Sequence, residues 1–284
     1  MEIIVAKSAG FCFGVKRAVD TVYSEIEKGG KIYTFGPIIH NDRVVSDLAE
    51  KGVSVINDIS SLESAKEGCV IIRSHGVSRK VFEDLERTGL KIVDATCPFV
   101  KKIHRIVESE SMSGKKVVVI GDPVHPEVVG IVGWCDEKNE AVVIGSEDEA
   151  GNFEYSGNSD ITVVSQTTFS PGKFKDLVEI LRKKGYNINV VNTICNATCE
   201  RQEEARKIAS DVDMMIVIGD SKSSNTQKLY EICSRECNCT LYVQNKDNLE
   251  TDPPGSLQRV GITAGASTPK NIIEEVQNYV RINF

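Results

Sequence analysis

The chain has 284 residues, 40% hydrophobic and 26% charged, a balance that excludes a largely disordered polypeptide and leaves room for a core or for two to three small lobes. A formal net charge of -7 gives no overall attraction for a nucleic-acid backbone or an anionic membrane, so a bound anion must be held by a local site. No apolar run approaches the roughly 18 residues of a membrane helix, and the first residues enter a strand-like run directly, so the expectation is a cytoplasmic protein with no signal or spanning segment.

In chain order, short β-branched runs recur as EIIVA, KIYTFG, VSVI, CVIIRS, KIVDA, KVVVIGD, AVVIG, DITVVS, NINVVNT, MMIVIGD, TLYVQ and RVGITA. Most read as buried strands. Helical periods fall between many of them, most clearly at Val15, Ala18, Val19, Val22, Tyr23 and Ile26, which follow the spacing of one buried helix face. Such alternation predicts α/β layers with mostly parallel sheets.

The order of elements repeats, and each round opens at a cysteine. Cys12 starts a round that ends at Cys97, and Cys97 starts one that ends at Cys195. The round after Cys195 lacks a last strand and a closing cysteine, which residues 1–12 supply if the chain closes as a ring. The expected fold is therefore three similar α/β lobes about a pseudo-threefold axis: 13–96, 97–194, and 195–284 completed by the N-terminal strand 1–12. Each cysteine follows a strand and precedes a helix, which puts its thiol at the sheet edge where open α/β proteins build sites. A helix N-terminus also favours the thiolate that metals take.

Nine cysteines, an odd number in a chain without a secretory signal, point to reduced thiols rather than a disulfide framework. Three converging thiolates suit one 4Fe-4S cluster with three Cys ligands and one open iron, because a cluster that only carries electrons takes four. Zinc with three cysteines and a water is the alternative, and it would imply hydrolysis. Cys69 and Cys135 read as buried apolar residues. Cys233, Cys237 and Cys239 form C-x3-C-x-C, but the first two fall on a helix with Leu229 and Ile232, which disfavours a second metal.

Six further strand-to-helix loops carry His40-Asn41, Ser74-His75-Gly76, His125-Pro126-Glu127, Gln166-Thr167-Thr168, Ser223-Ser224-Asn225 and Ala266-Ser267-Thr268. Taken singly, each Ser, Thr or Asn is an ordinary helix cap. Six helix starts facing one axis would present up to about +3 of partial charge, enough to hold a small polyanion in an acidic protein. His104 lies inside a helix and reads as structural or surface. Glu127 is the carboxylate next to a loop histidine and so the best candidate for delivering protons, although a helix N-terminus alone would also account for it.

Together, G-F-C-F-G-V at Gly10, H-N at His40, S-H-G at Ser74, D-A-T-C-P at Asp94, H-P-E at His125, Q-T-T at Gln166, I-C-N-A-T at Ile194, S-S-N at Ser223 and T-A-G-A-S at Thr263 resemble the IspH, or LytB, family of 4-hydroxy-3-methylbut-2-enyl diphosphate reductases. The match runs from end to end in register. The resemblance implies a central iron-sulfur cluster on Cys12, Cys97 and Cys195 whose open iron takes the substrate hydroxyl. It implies that His40, His75, His125, Ser223, Ser224, Asn225 and Ser267 hold the diphosphate, and that Thr167 and Glu127 lie near the hydroxyl, with Glu127 relaying protons and His125 among the catalytic residues. The implied products are isopentenyl and dimethylallyl diphosphate, with ferredoxin or flavodoxin as electron donor and neither nucleic acid nor membrane as partner. Cys199 stands where Ser or Thr is expected, and Lys222 lies one residue later than the family's lysine. A hydro-lyase that uses iron only as a Lewis acid, and a regulatory iron sensor, remain rival readings of the same cysteines.

Overall fold

The computed structural model describes residues 1–62, 65, 67–157, 160–249 and 257–284. Its strands are β1 (Glu2–Val5), β2 (Ile32–Phe35), β3 (Val53–Ile56), β4 (Cys69–Ile72), β5 (Lys91–Asp94), β6 (Lys116–Ile120), β7 (Val142–Ile144), β8 (Ile161–Ser165), β9 (Ile188–Val190), β10 (Met214–Ile218), β11 (Thr240–Val243) and β12 (Arg259–Ala264). Each lies within one of the β-branched runs. The helices are α1 (Phe13–Lys28), α2 (Asp42–Glu50), α3 (Arg79–Arg87), α4 (Pro98–Met112), α5 (Pro126–Val132), α6 (Glu147–Asn152), α7 (Pro171–Lys183), α8 (Asn196–Ala209), α9 (Ser224–Glu236) and α10 (Lys270–Asn283). Among the described residues, none is long and apolar enough to cross a membrane.

The strands form three four-stranded sheets with the orders β3-β2-β4-β5, β7-β6-β8-β9 and β11-β10-β12-β1. Among the described residues, every strand pair is parallel. The three orders are the same pattern, with the chain's first strand in the last place of the third sheet. There Glu2 through Val5 register against Arg259 through Ile262, far away in sequence. The three similar α/β lobes with mostly parallel sheets expected from the sequence are thus present, and their described sheets are parallel throughout.

Parallel strands covered on both faces need apolar side chains at every position, which explains why the runs do not alternate. In β10, Met214, Ile216 and Ile218 pack into one core with Ile272, Ile273, Val276 and Val280 of α10. Met215 and Val217, on the opposite face, pack against Ala205 and Ala209 of α8 and Leu229 and Cys233 of α9. In β6, Val117 and Val119 join Ile103 and Val107 of α4 and Val128 and Ile131 of α5.

Two compact units divide the chain. The first comprises Met1–Lys16, Ile39–Leu48 and Asn196–Phe284 and contains the β11-β10-β12-β1 sheet. The second comprises Arg17–Ile38 and Ala49–Cys195 and contains the other two sheets. Within this second unit, Trp134 Nε1 donates to the Val77 carbonyl at 2.8 Å and Arg79 N–H donates to the Gly133 carbonyl, joining the α5 end to the turn before α3.

Candidate functional site

The first unit carries Cys12, His40, Ser223, Ser224, Asn225 and Ser267; the second carries His75, Cys97, His125, Glu127, Thr167 and Cys195. Each of Cys12, Cys97 and Cys195 stands directly ahead of a helix, α1, α4 and α8 respectively. Their backbones make the same contact in the three lobes. Cys12 N–H donates to Ala266 O at 3.2 Å, Cys97 N–H to Ser74 O at 2.9 Å and Cys195 N–H to Thr167 O at 2.9 Å. In each case the acceptor lies in the loop after the strand paired with the cysteine's own strand, β12, β4 or β8. All three cysteines are half-buried, whereas Cys69, Cys233 and Cys237 are buried.

In the first unit, residues 7–10 approach Cys12 on a turn that contacts from α8 hold. Arg201, 3% exposed, donates to Ser8 O at 2.9 and 2.6 Å and to Gly10 O at 2.7 Å. Glu204 accepts from the N–H groups of Lys7 and Ser8 and from the Ser8 hydroxyl. Gly10 has φ 98, and a Cβ there would sit 3.3 Å from the Thr268 carbonyl, so this approach requires glycine. Sequence reasoning missed Arg201 and Glu204, because their partners lie 191 to 197 residues away and leave no local pattern.

Ser223 caps α9, its hydroxyl accepting from Thr226 N–H, and Asn41 caps α2 by accepting from Val44 N–H at 3.1 Å. Among the described residues, two other buried side chains of this unit's loops, Asn225 and Ser267, lack hydrogen-bond partners. Asn225 is 3% exposed with neither Oδ1 nor Nδ2 hydrogen-bonded, and Ser267 is 6% exposed with its Oγ unpaired. A buried unsatisfied amide or hydroxyl costs about 1–3 kcal/mol, and these atoms keep hydrogen-bonding capacity that the fold does not use.

In the second unit, Glu127, Thr167 and His125 bond to one another. Glu127, 3% exposed, accepts the Thr167 N–H on Oε1 at 2.6 Å and the Thr167 hydroxyl on Oε2 at 2.7 Å. His125 caps α5, its Nδ1 accepting from Glu127 N–H at 3.1 Å, which leaves Nε2 to carry the proton of the neutral ring. The His75 and His125 rings meet edge to face, centroids 5.4 Å apart. His104, open in sequence to a surface role, is 5% exposed and stacks on Trp134 at 5.3 Å. Burial pulls its pKa down to about 4, so it is neutral and structural.

Cys69, Cys135, Cys233, Cys237 and Cys239 are packing residues. Burial pushes the Cys233 thiol up to about 12 and the Cys135 thiol up to about 11, far from a thiolate at neutral pH. Cys135 is half-buried rather than fully buried, and Cys237 caps the C-terminal end of α9 rather than lying within it. Lys222 has a partner, both carboxylate oxygens of Asp42 at 3.2 Å.

Three parallel α/β lobes, each closed by a cysteine tied to its neighbouring loop, with hydroxyl, amide and imidazole groups at the same sheet ends, define a thiol-bearing protein with loops suited to an anion. The family model described as LytB protein matches residues 3–281, and the chain belongs to that family. Named relatives are the 4-hydroxy-3-methylbut-2-enyl diphosphate reductases of Alkaliphilus oremlandii, 46% identical over 97% of this chain and 98% of the relative, and of Clostridioides difficile, 44% identical over 99% of both. Among solved structures, the E-1-hydroxy-2-methyl-but-2-enyl-4-diphosphate reductase of Plasmodium falciparum superposes with a TM-score of 0.91 at 28% identity, over 99% of this chain and 87% of that one. A second, titled as (E)-4-hydroxy-3-methyl-but-2-enyl diphosphate reductase, the terminal enzyme of the non-mevalonate pathway, has a TM-score of 0.70 at 39% identity, over 99% of this chain and 100% of that one.

Proposed function

We propose that this chain is a reductase that removes the hydroxyl of 4-hydroxy-3-methylbut-2-enyl diphosphate as water, taking up two electrons and two protons and giving isopentenyl and dimethylallyl diphosphate. The observation that carries the reading is the repeated backbone contact of Cys12, Cys97 and Cys195, which gives three half-buried thiols equivalent places in three lobes. We assign these thiols as the ligands of one 4Fe-4S cluster. When bound, the cluster supplies the electrons and a Lewis-acidic iron for the substrate hydroxyl. The units 13–96, 97–194 and 195–284 with 1–12 are read as a threefold repeat about this centre.

The chain's own residues bind, orient and protonate. Asn225 and Ser267, buried with unpaired polar atoms, take phosphate oxygens together with His40, His75, His125, Ser223 and Ser224. Thr167 fixes both oxygens of Glu127, so that the carboxylate has one orientation in which to take up a proton and relay it to the departing hydroxyl. A ferredoxin or flavodoxin delivers the electrons, and the setting is cytoplasmic.

The test is anaerobic reconstitution followed by Mössbauer spectroscopy with and without substrate, alongside product analysis with and without a reductant. One iron site should change on substrate addition and three should not, and product should require the reductant. Product formed without a reductant would instead establish a hydro-lyase.

A further inference from the structure

Among the loops of the first unit, one buried carboxylate has no part in the reading above. Asp220 follows β10, three residues ahead of Ser223, and is 4% exposed. Its Oδ2 accepts the N–H of Asp42, the first residue of α2, at 3.1 Å, and its Oδ1 accepts the N–H of Lys222 at 2.8 Å. Its own carbonyl accepts from the Tyr242 hydroxyl at 2.7 Å and from Ser223 N–H at 3.0 Å. The Lys222 ammonium returns to the Asp42 carboxylate, so the loop before α9 and the loop before α2 are joined twice. The two links differ in strength. Lys222 and Asp42 are each 65% exposed, and an exposed ion pair is weak. Asp220 is buried, and carboxylate bonds to backbone N–H groups are charge-assisted.

A negative charge is an odd choice beside loops that hold a diphosphate, since it opposes the anion. Its place makes sense if it organises the donors. It takes up two main-chain N–H groups at the starts of α2 and α9 and so fixes where His40, Asn41 and Ser223 to Asn225 stand. We propose that Asp220 is a positioning residue: it locks the His40 loop to the Ser223–Asn225 loop so that both meet the diphosphate as one preformed piece, with Lys222 closing the clasp from outside. This rests on the assignment of those loops to the diphosphate. Preformed donors lower the ordering cost of binding, so loss of the clasp weakens ground-state binding rather than chemistry.

Two variants of the holoenzyme test it. Asp220→Asn keeps the shape but turns one acceptor into a donor facing an N–H. Asp42→Pro deletes the N–H from the other side, at a first helical position where proline is tolerated. Each should raise KM for the substrate, and Kd for inorganic pyrophosphate, about tenfold, while kcat at saturation stays within about threefold and the cluster absorbance is unchanged. If Asp220→Asn does not fold, Asp42→Pro decides alone. Unchanged KM and pyrophosphate affinity, or a fall in kcat at constant KM, would overturn the clasp. Failure of the unaltered enzyme to bind pyrophosphate or turn over substrate would overturn the underlying reading instead.

Discussion

The loops around Glu127 and those around Asn225 are built in opposite ways. In the first, every oxygen of the buried carboxylate has a donor, both from Thr167, and the histidine beside it caps its own helix. In the second, Asn225 and Ser267 are as deeply buried but keep unpaired polar atoms. A satisfied cluster fixes one geometry, which suits a group that must present a proton from a set position. An unsatisfied one holds its hydrogen-bonding capacity in reserve, which suits a group whose partner arrives from solution.

The contrast can be broken first at the thiols, on which the proposed reaction depends as a whole. Serine at Cys12, Cys97 or Cys195 should abolish iron binding and turnover alike, read by iron content and reductant-dependent product. Cys233→Ala should keep both and lose only stability, since Cys233 is a packing residue of the α8–α9 core. Retained iron in any of the three serine variants would separate the lobes and sink the shared centre.

In the satisfied region, Glu127→Gln preserves shape but cannot donate the proton, so turnover should fall at least about 100-fold with substrate affinity held. Stopped-flow kinetics on the intact cluster would measure it. Normal turnover with collapsed affinity would make Glu127 a binding group, like Asn225.

In the unsatisfied region, Asn225→Ala should weaken pyrophosphate binding about 10- to 100-fold, as expected for losing one or two hydrogen bonds to a charged ligand. The ligand-free protein should melt at the same temperature or higher, because an unpaired buried amide has gone. A lower melting point with full affinity, by calorimetry, would show that Asn225 is structural.

The smallest effect concerns His104, a buried imidazole whose unpaired Nε2 serves no ligand in this reading. Its folded pKa of about 4 lies below the ordinary 6.5, so between those values the unfolded chain binds the proton and the folded one does not. Stability should therefore fall as pH drops from about 6.5 to about 4, by an amount on the order of 3 kcal/mol. His104→Phe should flatten that acid limb in denaturant titrations and leave activity near neutral pH unaltered.

The strands were legible because parallel sheets covered on both faces demand unbroken β-branched runs, and Met214 through Ile218 show why no alternation appears: each face of β10 meets a different helix layer. The threefold pattern was legible because the order of elements repeats and a cysteine marks each turn of it. Lys222 shows the limit. Its displacement was visible, but its partner Asp42 lies 180 residues away and no spacing rule relates them.

By itself, then, the sequence determined what local chemistry and periodicity encode: the twelve strand segments, the three equivalent cysteines, the polar loops at helix starts, and the kinship those motifs carry. Only the tertiary structure decided which polar groups are satisfied and by what. It paired Glu127 with Thr167, buried His104 against Trp134, set Arg201 behind the turn to Cys12 and gave Asp220 the backbone of another loop. The reason is physical. Burial and hydrogen-bond partnership depend on distance in space, and between residues far apart in the chain that distance exists only once the sheets have formed.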